Sequence, residues 1–260
     1  MSFVIVEKPR PYITLITLNR PERMNAMAFD VMVPFKEALE EVSFDNDTRV
    51  VIVTGAGAGF CAGADLQDPG WLAIFDGLTI PGIARRAMRI LDDVVKAIQN
   101  MHQPVIGAIN GPAIGGGFCL AMATDIRVAA DSAYFRPAGI NNGLTSAELG
   151  LSYLLPRAIG TSRAFDIMLT GRDVDAEEAQ RIGMVSKVVS QEKLLDECYA
   201  IAERINGFSQ LGVELSKQMF WAGMDAGSLH SHMNHEGHAQ LFVRMTTKNF
   251  EEAIKARKEG

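Results

Sequence analysis

Pro104-Val105-Ile106-Gly107-Ala108-Ile109-Asn110-Gly111-Pro112-Ala113-Ile114-Gly115-Gly116-Gly117 is the stretch from which the rest of the chain can be read. Residues 104–110 form a short apolar run, which reads as a buried strand. Gly111-Pro112 breaks it, and the three glycines at 115–117 open a helix that runs to about Ala123. Where a strand passes through glycines into a helix, backbone N–H groups lie open with little side chain in the way. The helix start adds partial positive charge, which favours an anion or an oxyanion.

A second segment repeats the arrangement. The strand Arg49-Val50-Val51-Ile52-Val53-Thr54 runs into a glycine-rich loop from Gly55 to Gly63, which continues as Ala64-Asp65-Leu66. Either loop alone could serve only tight turns and close packing. A dinucleotide-binding loop is excluded: with glycines at 55, 57 and 59, the third glycine of G-x-G-x-x-G would fall on Phe60. The T-G-x-x-x-G-x-G variant would need glycine where Cys61 stands, and no tyrosine has lysine four residues later.

Outward from these loops, residues 3–7 and 12–18 read as two strands joined by a turn over Lys8-Pro9-Arg10-Pro11. Residues 30–42 and 83–101 have helical periodicity, with Pro34 placed close to the first turn of its helix. A strand is expected at 125–130 and a β-like piece at 133–135. This strand–strand–helix order predicts an α/β protein with layered sheets. Beyond about residue 145 helices dominate. Thr161 reads as the cap of a helix that Gly171 ends, and Asp175 with Glu178 starts another that Gly183 ends. Helices follow at 192–207, 209–224 and 228–243, with a last one from Thr247. The expected division is a core over residues 1–195 and a helical region over 196–260.

The 260 residues carry a net charge of −6 and are 48% hydrophobic, enough for one sizeable core. The acidic balance argues against a nucleic-acid surface. No apolar run approaches a membrane span, and the N-terminus lacks the pattern of a signal peptide. Cys61, Cys119 and Cys198 form no paired framework and no C-x-x-C, so reduced thiols and a cytoplasmic location are expected. His235-Glu236-Gly237-His238 is one residue short of the H-E-x-x-H pattern, and no metal is expected.

Taken together, several pieces resemble the enoyl-CoA hydratase/isomerase (crotonase) superfamily. They are Leu18-Asn19-Arg20-Pro21 with Asn25-Ala26, Gly63-Ala64-Asp65, Asn110 to Gly117, Ala123 to Arg127, Leu155 to Gly160, Leu169-Thr170-Gly171 and Ala176 to Val185. The resemblance implies a spiral of repeated β-β-α units, a C-terminal helical trimerisation region, and a homotrimer or hexamer. It implies an acyl-CoA thioester as substrate, with no cofactor beyond its CoA moiety. It also implies an oxyanion hole from the N–H groups of Ala64 and Gly116. CoA would lie against the Cys61-Ala62-Gly63-Ala64-Asp65-Leu66 loop, with Arg23 beside a phosphate.

The sequence departs from the hydratases it resembles at both of their glutamates. The first position holds Cys119; the second, after Pro137, falls on Ala138 or Gly139. Glu148 stands near the place where the aryl-CoA dehalogenase branch has its aspartate, and it is the candidate acid/base; otherwise it caps the following helix. Three readings follow from the resemblance: a lyase or isomerase using Glu148, a hydrolase or other acyl-CoA chemistry, and an acyl-CoA-binding protein with little catalysis. Cys119 is expected to pack beside the glycines, and Asp65 to hold its loop together by hydrogen bonds. Asn141 and Asn142 could hold a water or serve a turn. The loop from Pro69 to Gly82 is a candidate mobile wall of the acyl pocket.

Overall fold

The computed structural model describes residues 2–259. The chain begins with β1 (Val4–Arg10) and β2 (Ile13–Leu18), an antiparallel pair. The turn between them is at Pro11-Tyr12, not over residues 8–11, and Tyr12 takes a left-handed φ of 63°. Pro9 stays inside β1 because the pairing register shifts between Glu7 and Arg10. At such a bulge on an edge strand, a missing N–H costs no ladder bond.

From β2 the chain winds in turns. Helix α1 (Phe29–Ser43) buries Val31, Met32, Phe35, Leu39 and Val42, and Pro34 is its sixth residue, past the first turn. Then come β3 (Val50–Gly55), α2 (Ile80–Asn100), β4 (Val105–Ile109), β5 (Ala113–Ile114) and α3 (Gly116–Ala123). The expected start of α2 at residue 83 moves back to Ile80, with Pro81 in the opening turn, where proline is tolerated. Next are β6 (Ile126–Ala130), β7 (Tyr134–Arg136), α4 (Ala138–Asn141), α5 (Leu151–Ile159), α6 (Thr161–Thr170) and β8 (Val174–Asp175), then α7 (Ala176–Arg181), β9 (Lys187–Val189) and α8 (Leu194–Asn206).

The main sheet has the order β1-β2-β3-β4-β6-β9, parallel from β2 onward. A second layer holds β5-β7-β8 and is extended by single bridges, Cys61 to Ala113 and Met27 to Ala64. Each chain turn therefore visits the main sheet, then the second layer, then a helix, which is the expected β-β-α repeat. The main sheet is covered on both faces, as parallel sheets are. Val51, Val53, Val105 and Ile109 face α1, α2 and α3. Ile52, Ile106, Ala108 and Val128 face Leu194, Cys198, Tyr199 and Ala202 of α8.

Gly171 ends α6 in a left-handed conformation, and the Asp175 carboxylate accepts the Glu178 N–H, both as the sequence suggests. Thr161 is a correction: Gly160 occupies the cap and Thr161 is the first helical residue, with no side-chain capping bond. Helices α9 (Gln210–Asp225), α10 (Leu229–Thr246) and α11 (Asn249–Glu259) follow. Within α9 only Lys217 is buried, and α10 buries no residue. Lys217 bonds Asp125 and the Gln103 carbonyl, and Trp221 donates to Asp125, so α9 is pinned to the core at one polar point. Among the described residues no helix is long and apolar enough to cross a membrane.

Candidate active site

Two buried asparagines shape the first loop. The Asn25 amide donates to the carbonyls of Ala56 and Gly59, while Asn110 accepts the Gly55 N–H and donates to the carbonyl of Gly57. This turns the backbone after β3 back toward the end of β4. The two loops then join: Phe60 and Cys61 N–H both donate to the Pro112 carbonyl, and Ile114 N–H donates to the Cys61 carbonyl.

The junction has no room for side chains. A Cβ on Gly63, whose φ is +79°, would stand 2.5 Å from the Ile114 carbonyl oxygen and 3.2 Å from the Gly116 nitrogen. A Cβ on Gly116 would collide with the Met27 sulfur. The Ala64 and Gly116 N–H groups donate to no acceptor among the described residues, and Ala64 is exposed. Gly116 is the first residue of α3, so its free N–H belongs to the electropositive end of the helix. The loops thus bring Gly63, the residue before Ala64, against the Gly116 nitrogen; two unpaired amides in one small region are the kind of donors that can hold an oxygen gaining negative charge.

Glu148 comes to the same place. Its Oε1 is 3.7 Å from where a Cβ on Gly115 would stand; Gly63 Cα is 4.0 Å from that point and Ala138 Cβ 3.3 Å. The carboxylate is half-buried and has no hydrogen bond or ion pair among the described residues, and burial pushes its pKa above the usual glutamate value. It does not cap α5, which has no side-chain cap. Only Ala138 of the pair Ala138/Gly139 faces the glycines, since a Cβ on Gly139 would collide with the Thr145 carbonyl.

Other sequence candidates lie elsewhere. Asp65 is 5% exposed and bonded to Arg23, to Arg20 and to the N–H groups of Gln67 and Asp68. The Arg23 guanidinium, followed by the backbone donors, holds its carboxyl far below the usual range. Arg23 is occupied by Asp65 and by Gln67 at 2.6 Å, with its side chain partly exposed. Cys61 turns inward, fully buried, and burial pushes its thiol up to about 12. Of the 61–66 loop, only Ala62, Ala64 and Leu66 present side-chain surface. Cys119 is fully buried, as expected, with its thiol raised well above the ordinary value. Asn141 is tied to the Gly171 carbonyl, a structural bond. No cluster of metal-ligating side chains occurs among the described residues.

The Pro69–Gly82 segment is anchored at Phe75, while Trp71, Ile74 and Ile80 stay exposed. Phe75 is buried edge-on to Phe29, with centroids 5.0 Å apart, and Trp71 packs edge-on to Phe75. Arg86 also holds the Ile74 carbonyl. The sequence reading missed Met27 and Leu149, which both face Gly116. Leu149 has a φ of +45°, rare for a branched side chain; its only sequence signal is the adjoining Gly150. A cavity of about 340 Å³ lies between α1 and α2, lined by Lys36, Glu40, Asp93 and Lys96 among others, and shares no residue with this site.

The sequence profile of the enoyl-CoA hydratase/isomerase family matches residues 10–259. A probable enoyl-CoA hydratase of Mycobacterium bovis is 65% identical over 259 residues, covering 100% of this chain and 91% of that protein. The crystal structure of a probable enoyl-CoA hydratase/isomerase from Mycobacterium abscessus superposes with a TM-score of 0.95 at 65% identity, covering 99% of this chain and 96% of that one. A monofunctional enoyl-CoA isomerase from M. smegmatis is 55% identical with a TM-score of 0.77, covering 90% and 99%. The free amides, the β-β-α winding and these likenesses agree: the chain belongs to the enoyl-CoA hydratase/isomerase family of crotonase-fold, acyl-CoA-processing enzymes.

Proposed function

We propose that the chain is an enoyl-CoA isomerase that moves a double bond into conjugation with the thioester. The thioester oxygen accepts hydrogen bonds from the Ala64 and Gly116 amides. Glu148 takes a proton from the α-carbon, giving a dienolate whose negative charge rests on that oxygen. The same carboxyl group returns the proton to the γ-carbon, and a 2-enoyl-CoA forms. No water enters and no second acid is needed. The observation carrying this reading is the lone, half-buried Glu148 carboxylate beside the amide loops, with Cys119 and Ala138 where hydratases of the family have carboxylates. Adding water needs one group to activate it and another to deliver a proton, and a single carboxylate suits a proton shuttle better. The M. smegmatis isomerase at 55% identity points the same way.

The CoA portion runs along Ala62, Ala64 and Leu66, with Arg23 near a phosphate after releasing Gln67. No cofactor beyond the CoA moiety takes part. The exposed apolar residues of α9 and α10, among them Phe220, Leu229, Leu241 and Phe242, support assembly into a trimer or hexamer. Buried, unpaired cysteines suit a cytoplasmic setting.

The test follows 3-enoyl-CoA and 2-enoyl-CoA substrates in parallel. Wild type converts the 3-enoyl ester to the conjugated one and hydrates the 2-enoyl ester far more slowly. Glu148→Gln lowers kcat by about 10²- to 10⁴-fold, the usual contribution of a general base, while KM changes little. Faster hydration than isomerisation, or undiminished turnover in the variant, overturns the proposal.

A further inference from the structure

We infer that Cys119 and Leu149 are positioning residues, a two-sided clamp that fixes the backbone of Glu148 against the amide loop. The inference rests on the reading of Glu148 as the base for its kinetic consequence, but not for its geometry.

A half-buried carboxylate with no side-chain partner has no polar contact to place it, so the backbone beneath it and the packing around it decide where it can reach. Here that backbone is fixed from two sides. On one side, the Cys119 sulfur lies 3.3 Å from the Gly115 carbonyl oxygen and 3.5 Å from the Glu148 carbonyl oxygen. The first contact is the ordinary one of a thiol with the carbonyl four residues back in its own helix. The second crosses to a distant segment and touches the residue whose side chain enters the site. A thiol has one proton, so it donates to one carbonyl at a time and packs its sulfur on the other. Either way, Gly115, the neighbour of the Gly116 amide, is linked through one sulfur atom to Glu148. The Glu148 carbonyl also accepts the Leu151 N–H at 2.8 Å, which ties it to the start of α5.

On the other side, Leu149 is 6% exposed and its Cδ1 stands 3.4 Å from where a Cβ on Gly116 would be. Its φ of +45° is strained for a residue with a side chain. Glycine would remove that strain but leave nothing to pack on Gly116. The leucine side chain therefore holds the strained backbone in place, and the carboxylate one residue earlier takes its direction from it. Cys119 thus has a positive task where a glutamate would stand in a hydratase.

The experiment uses the full-length protein with Cys119→Ala, Cys119→Ser, Leu149→Ala and, as a reference, Glu148→Gln. Two quantities are read: kcat and KM on a 3-enoyl-CoA, and the titration midpoint of the Glu148 carboxyl by NMR of ¹³C-labelled glutamate, assigned by its loss in Glu148→Gln. In Cys119→Ala and Leu149→Ala the loosened carboxyl gains solvent, its midpoint falls toward the ordinary value, and kcat drops about 10- to 100-fold with KM nearly unchanged, as expected for a displacement near 1 Å. Cys119→Ser keeps a donor and returns most of both. If either alanine variant does not fold, the other and the serine variant carry the test. An unchanged midpoint in the folded alanine variants overturns the inference, whatever happens to activity. A lowered midpoint with unchanged kcat, and a fully active Glu148→Gln, keeps the clamp and removes the proposed function instead.

Discussion

Among the described residues Glu148 has no counter-charge and no hydrogen-bond donor, and that has a thermodynamic consequence separate from any reaction. Burial raises the folded-state pKa, so folding disfavours the charged form relative to the unfolded chain. The stability contributed by the carboxyl proton is fully present below the ordinary glutamate value of about 4.5 and is lost as pH rises through the folded value. Glu148→Gln should therefore unfold at a higher temperature than wild type at pH 8, with the difference shrinking as the buffer approaches pH 5, as measured by calorimetry. A difference that grows on acidification would contradict the assignment. Much of this residue-scale chemistry was legible in the sequence. The glycines at 63 and 115–117 and the structural role of Asp65 follow from local pattern, while the positions at 119 and at 138 or 139, where hydratases carry glutamates, follow from the resemblance to the family. Met27 and Leu149 were not legible, because a sulfur stacked on Gly116 and a left-handed leucine are set by distant packing that no spacing encodes.

At the scale of elements, α9 depends on a buried polar junction more than on apolar packing. Lys217 Nζ lies 2.8 Å from Asp125 Oδ2 and 2.9 Å from the Gln103 carbonyl, and burial lowers its pKa despite the pairing. Removing one partner of a buried pair costs about 3–5 kcal/mol. Asp125 keeps the Val105 N–H and the Trp221 indole as donors, so Lys217→Met should fall at the lower end. Urea unfolding at fixed protein concentration measures the loss, and faster amide exchange confined to α9 onward would locate it. The helices of this region were readable from their periodicity. The ends of β1 were not: Lys8-Pro9-Arg10-Pro11 has turn chemistry, yet a register shift absorbs Pro9 within the strand. Local propensity gave way there to sheet pairing.

The whole molecule is a finished core with an unfinished surface. Phe220 is 78% exposed and Phe242 54% exposed, on helices that bury almost nothing within the chain. Light scattering should give a mass that is threefold or sixfold 28.3 kDa, and Phe220→Asp with Phe242→Asp should shift it toward one chain; a wild-type monomer would contradict the proposed assembly. The core itself carries a further consequence in its strand order. Because β1-β2-β3-β4-β6-β9 follows the sequence without reversal, a chain leaving the ribosome lays each strand beside one already in place. Both amides are available once α3 has emerged, well before Glu148. In the proposed mechanism the segments bearing the two amides are thus synthesised before the group proposed to move the proton.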